Sequence, residues 1–198
     1  MQVTQFVMAY GADQDRLRAM LPEGYESLRP VLRINGEIRR KLGAETLYLE
    51  FNTPVAARGK RGWLNIAHWD SATTGLSCTA QDNATTFRAP FLEITFTPSG
   101  VTGGCPAERD NQGCFYPGQV PDFVPAEIIT ANKEYCKCAF AWHFDARSTQ
   151  GVSVSSDSIP AIPTQPQTNY PPQALTAQNA AAIPCQQVLG AYMVTFER

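Results

Sequence analysis

Punctuation constrains this chain more than any other feature. Its apolar runs are short, and each meets Gly, Pro, Asn or Asp before a helical period of 3.6 can establish itself. Residues 6–10, 46–51, 63–69, 91–97, 136–144 and 188–196 read as strands. Val31, Arg33 and Asn35 alternate with Leu32, Ile34 and Gly36, the period-two pattern of a half-buried strand. One short helix interrupts this regime. Asp13 is placed to cap it, Leu17, Met20 and Leu21 are spaced to face a core, and Pro22 and Gly24 stop it. Many short strands with one or two helices predict a mostly β (α+β) fold, a barrel or a sandwich.

The connections differ in kind. Residues 58–62 carry a turn, and Pro98, Ser99 and Gly100 end the run before them. Residues 102–121, rich in Gly, Pro and Cys, read as a long ordered excursion. A proline at a first helical turn suggests a short helix opening residues 125–134. Residues 148–184 are mostly Ser, Thr, Gln, Pro and Ala. Because a strand follows at 188–196, this tract is an insertion in one 198-residue domain rather than a tail. No internal repeat is found.

With 43% hydrophobic residues the chain can bury a sizeable core, and a net charge of −2 offers no footprint for nucleic acid. The densest basic run, Arg39, Arg40 and Lys41, reads as a solvated strand end. No apolar run approaches the roughly 20 residues of a membrane span. The first ten residues lack the basic flank and apolar length of a signal peptide, so a cytoplasmic protein is expected. The six cysteines match no common zinc spacing, so buried thiols are expected and no metal or cofactor. G-x-S-x-G, phosphate-loop and H-E-x-x-H patterns do not occur.

Three pieces of the first half resemble the acetoacetate decarboxylase family. Phe6 to Tyr10 followed by Asp13, Leu17 and Pro22 looks like that family's strand–helix opening. Pro30-Val-Leu-Arg33 is similar to the strand that follows there, and Leu47-Tyr-Leu-Glu50 with Pro54, Val55 and Gly62 is similar to its glutamate segment. The resemblance implies a β-barrel decorated with a few helices and an apolar pocket. It also implies a lysine whose depressed pKa lets it form a Schiff base with a keto acid, the effect for which this enzyme is a standard example.

Carried over residue by residue, the resemblance makes Glu50 the pocket carboxylate, an orienter or an acid–base group. Aligning Pro90 with the family's proline puts Thr85 and Thr86 where the paired lysines are expected. A hydroxyl cannot condense with a ketone to give an iminium. The family's first-strand arginine falls near Val3, so Arg33 on the next strand and Arg88 beside the threonines are the candidates to hold a substrate carboxylate. His68 is a candidate for acid–base work, against the plainer reading of a hydrogen-bonded core histidine; His143 stands behind it. Among the four lysines, Lys41, Lys60 and Lys137 are expected to be solvated. That leaves Lys133 as the candidate amine, although Glu134 beside it favours its charged form.

Three readings follow. The first is a lysine-independent lyase, hydratase or tautomerase acting on a small keto or carboxylic acid. The second is a non-catalytic module that binds such a molecule. The third is a decarboxylase using Lys133. All three have a small molecule as partner and leave a homo-oligomer open.

Overall fold

The computed structural model describes residues 1–73, 75–103, 111–144, 147–153 and 169–198. Thirteen strands and two short helices follow one another among the described residues. They are β1 (Gln2–Gly11), α1 (Gln14–Arg18), β2 (Glu26–Ser27), β3 (Val31–Lys41), β4 (Ala44–Ala57), β5 (Lys60–Asp70), β6 (Ser77–Gln81), β7 (Ala84–Ala89), β8 (Leu92–Gly103), β9 (Gly113–Phe115), β10 (Phe123–Pro125), β11 (Lys133–Phe144), β12 (Arg147–Val152), α2 (Ala177–Ala181) and β13 (Gln187–Glu197).

Local chemistry explains the hairpins. The β3–β4, β4–β5 and β6–β7 turns are the pairs Leu42–Gly43, Arg58–Gly59 and Asp82–Asn83, all with positive φ. That is the mirror-image turn whose twist matches right-handed strands. The sequence reading expected the middle turn; the β6–β7 hairpin has few large apolar residues and escaped it. Asp13 caps α1 by accepting hydrogen bonds from the backbone N–H groups of Asp15 and Arg16 at 2.9 and 3.0 Å, and Leu17 and Met20 are buried.

One sheet contains all the strands, in the order β10-β9-β5-β4-β3-β1-β13-β11-β8-β7-β6, with β2 on β4 and β12 on β11. Every pairing is antiparallel except β5 with β9. The order runs from one edge to another, so among the described residues the expected closed β-barrel is not formed. The sheet instead curls until its two limbs meet. Phe6, Met8, Ile34 and Phe51 from one limb share a single core with Phe87, Ile94, Phe96, Phe140 and Trp142 from the other. Phe6 lies 5.5 Å from Phe87 and 5.4 Å from Phe96 between ring centroids. Gly36 allows a close approach at this meeting point: a Cβ there would stand 3.0 Å from the Phe87 ring, so the ring would have to give by a few tenths of an ångström.

One expectation about a connection changes. Residues 126–132 form no helix. Ala126 N–H donates to the Gln112 carbonyl, and Ile129 and Ala131 pack on Val7, Tyr192 and Val194. Tertiary packing and a backbone bond win over the propensity of so short a segment. The 148–184 tract carries regular structure towards both of its ends. β12 and α2 fall within it, Gln173 N–H donates to the Ala19 carbonyl, and Ala180, Ala181 and Ile183 are buried. Residues 154–168 of that tract, and Cys105, lie outside the described residues. No helix among the described residues is long and apolar enough to cross a membrane.

Candidate functional site

Alternation on β3 sorts its side chains onto two faces. Leu32, Ile34 and Ile38 enter the core. Arg33, Asn35 and Glu37 are buried as well, on the other face. Cross-strand pairing places Asn35 opposite Glu50 and Glu50 opposite His68, so β3, β4 and β5 bring their polar residues together. The excursion from Asn111 to Ile129 lies over them and supplies Tyr116.

Glu50 is the centre. It is 4% exposed and accepts five hydrogen bonds. Oε1 takes Asn35 Nδ2 at 2.9 Å, Asn52 Nδ2 at 3.0 Å and Arg33 Nη2 at 3.3 Å; Oε2 takes the hydroxyls of Tyr48 at 3.1 Å and Tyr116 at 3.2 Å. A carboxylate offers about four lone-pair sites, so its acceptor capacity is filled. Burial and the Glu50 charge push the pKa of both tyrosines up, keeping the hydroxyls protonated. The same two causes, burial first, raise the Cys114 thiol to about 12, which makes it an unreactive neighbour.

Behind Glu50 runs a directed chain. His68 Nδ1 lies 3.0 Å from Asn65 Oδ1, Asn65 Nδ2 donates to Asn52 Oδ1 at 3.1 Å, and Asn52 donates to Glu50. The His68 ring, on the exposed side, packs against the Tyr48 and Tyr116 rings at 6.1 and 6.2 Å. Beneath Glu50, the Arg33 guanidinium lies 3.9 Å from the centroid of the Trp63 ring.

A second polar group adjoins the first. Glu37, 3% exposed, accepts from Arg39 Nε at 2.6 Å, from Gln5 at 3.2 Å, and from Arg198 at 3.1 Å through each of its oxygens. Burial alone would raise its pKa, but Arg198 and Arg39 outweigh burial and hold the carboxyl below its usual range. Both groups open on one cleft of about 650 Å³, whose walls include Glu50, Tyr48, Tyr116, Arg39, Arg198 and Lys133. No cluster of metal-ligating side chains occurs among the described residues.

The structure thus brings Arg33, Glu50 and Lys133 to one cleft, with His68 joined to Glu50 through two amides, Asn65 and Asn52. It does not bring Thr85, Thr86 or Arg88 there. Thr86 Oγ1 is 2.8 Å from Thr95 Oγ1 on β8, while the exposed Arg88 holds Glu93 at 2.8 Å and Thr79 at 3.2 Å. Sequence reading missed Asn35, Tyr48, Asn52, Tyr116, Glu37, Arg39 and Arg198. The polar half of the β3 alternation was the available signal, and it points equally well to a solvated face.

No family model matches the chain, and no curated protein matches it. Solved structures do. An acetoacetate decarboxylase from Legionella pneumophila superposes with a TM-score of 0.55 at 14% identity, over 98% of this chain and 81% of that one. An acetoacetate decarboxylase-like enzyme from Sphingomonas wittichii gives 0.53 at 11%, over 98% and 87%. The enduracididine biosynthesis enzyme MppR, complexed with the condensation product of pyruvate and imidazole 4-carboxaldehyde, gives 0.57 at 10%, over 98% and 83%. The chain has an acetoacetate decarboxylase-like fold. At these identities the likeness extends to the fold alone. On this acetoacetate decarboxylase-like sheet, Lys133 of β11 is the one lysine among the described residues lining the cleft.

Proposed function

We propose that the chain acts on a small keto or carboxylic acid in this cleft, as a lysine-independent lyase, hydratase or tautomerase with Glu50 as its catalytic carboxylate. The observation that carries the reading is the convergence of two protonated tyrosine hydroxyls on one buried carboxylate at the cleft wall. When a substrate oxo group arrives, one tyrosine turns its O–H from Glu50 to that oxygen. The turn frees a lone pair on Oε2. Glu50 then takes a proton from the carbon beside the carbonyl, and the tyrosine stabilises the enolate oxygen. Returning the proton to a different carbon completes a tautomerisation; expelling a β-substituent makes the same site a lyase. Arg33 balances the Glu50 charge until the proton is taken, and the Asn52–Asn65–His68 chain keeps the carboxylate oriented. The ligand class is supported by the solved neighbours, which include an acetoacetate decarboxylase and MppR bound to pyruvate.

Exchange of the C3 protons of 2-oxobutanoate and phenylpyruvate in D2O, followed by NMR, tests this reading. Glu50→Gln should slow enzyme-dependent exchange by roughly a hundredfold or more, the usual contribution of a general base. Exchange at the wild-type rate in a folded Glu50→Gln protein would reject the role.

Two observations keep the other readings open. The filled acceptor capacity of Glu50 favours a binding module, which would retain an acid in native mass spectrometry without exchanging its protons. Lys133 at the cleft favours a Schiff-base decarboxylase. Borohydride trapping with acetoacetate separates that reading from the others, because only a Schiff base leaves a reduced adduct on Lys133.

A further inference from the structure

Among the described residues, the cleft's formal charges are four cations, Arg33, Arg39, Lys133 and Arg198, against three carboxylates, Glu37, Glu50 and Glu127. That balance accommodates one more negative charge. The three arginines are not equally available to meet it. Arg33 is buried, bonded to Glu50 and covered by Trp63. Arg198 is bonded to both oxygens of Glu127, at 2.5 and 2.8 Å, and to both oxygens of Glu37. Arg39 differs from both. Its Nε is held by Glu37 at 2.6 Å and its guanidinium lies 4.2 Å from the centroid of the Tyr48 ring. Neither of its terminal nitrogens has a hydrogen-bond acceptor among the described residues, and its side chain is 27% exposed at the cleft.

We infer that Arg39 is the residue that binds the carboxylate of the cleft's ligand. This rests on the reading of the cleft as a keto- or carboxylic-acid site. Geometry makes the case. A guanidinium fixed through Nε and stacked on an aromatic ring has already lost its rotamer freedom, and it presents its two terminal nitrogens as a planar fork for two carboxylate oxygens. Glu37 does the fixing and stays ionised to do it, since its own partners hold its pKa down. The ring under the guanidinium is that of Tyr48, whose hydroxyl points to Glu50. An oxo acid held by Arg39 therefore directs its carbonyl along the Tyr48 ring toward the two hydroxyls. The residues proposed for binding and for chemistry are thus joined by one aromatic ring. Arg39 selects the ligand: an oxo acid, rather than its amide or ester.

Isothermal titration of the full chain with phenylpyruvate and with phenylpyruvamide tests this. Wild type should bind the acid at least tenfold more tightly than the amide. Arg39→Gln should weaken the acid roughly ten- to hundredfold, the range of a charged hydrogen-bonded contact, and leave the amide unchanged. Arg39→Lys, which keeps the charge but loses the fork, should fall between the two. Thermal melts of both variants control for folding. Equal affinity of wild type and Arg39→Gln for the acid overturns the role of Arg39 alone and spares the acid-site reading. Failure of wild type to bind the acid overturns both.

Discussion

On one face of β3, Leu32, Ile34 and Ile38 meet apolar side chains; on the other, Arg33, Asn35, Glu37 and Arg39 meet carboxylates, an amide and guanidinium groups. Both faces are buried along most of the strand, yet they are held in different ways. The apolar face gains from area removed from water and from ring contacts, with no angular demand. The polar face is stable only while every charge keeps its partners, because a lone buried charge costs several kcal/mol. The first face is tolerant and carries the fold. The second is exacting and is therefore where chemistry can reside.

Removing Phe87 attacks the apolar face where the two limbs meet. Phe87→Ala should cost about 3–5 kcal/mol in urea denaturation, as expected for an aromatic ring deleted from a closed core. A cost below about 1 kcal/mol would show that the limbs are not held together through this ring.

On the polar face, pH supplies the lever. The folded Glu37 carboxyl titrates below its ordinary value. Its stabilising contribution is therefore fully present above the unfolded value of about 4.3, and is lost as pH falls through the folded pKa. Glu37→Gln should destabilise by about 2–3 kcal/mol at pH 7. The gap to wild type should close as denaturation is repeated from pH 5 down to pH 3. A gap that stays constant with pH would mean that Glu37 acts through packing rather than charge.

The smallest effect belongs to β7. Thr86→Val removes the hydroxyl contact with Thr95 and should cost under about 1 kcal/mol, with no change in affinity for phenylpyruvate. A large loss of affinity would return β7 to the ligand site and blur the contrast between the limbs.

Much of this architecture is legible in the sequence. The turn chemistry at Arg58–Gly59, the Asp13 cap and the alternation of β3 are local features, and local residues dictate them. The resemblance singled out Glu50 and Arg33, which share the cleft. It also pointed to Thr85, Thr86 and Arg88, which hold neighbours on their own limb of the sheet. Arg39 shows the limit most clearly. In sequence it belongs to the basic run Arg39-Arg40-Lys41, but Arg40 is exposed and paired with Glu45, whereas Arg39 turns onto Tyr48 and into the cleft.

What the sequence determined by itself was that β3 has two chemically distinct faces, since a period of two needs no partner to be specified. Whether the polar face meets water or a roof was decided only in three dimensions. Its cover comes from residues 111–129, a stretch without periodicity, and its outer carboxylate is clamped by Arg198, 161 positions along the chain from Glu37. Such long-range partners leave no spacing in the sequence, because it is the curl of the whole sheet that brings them together.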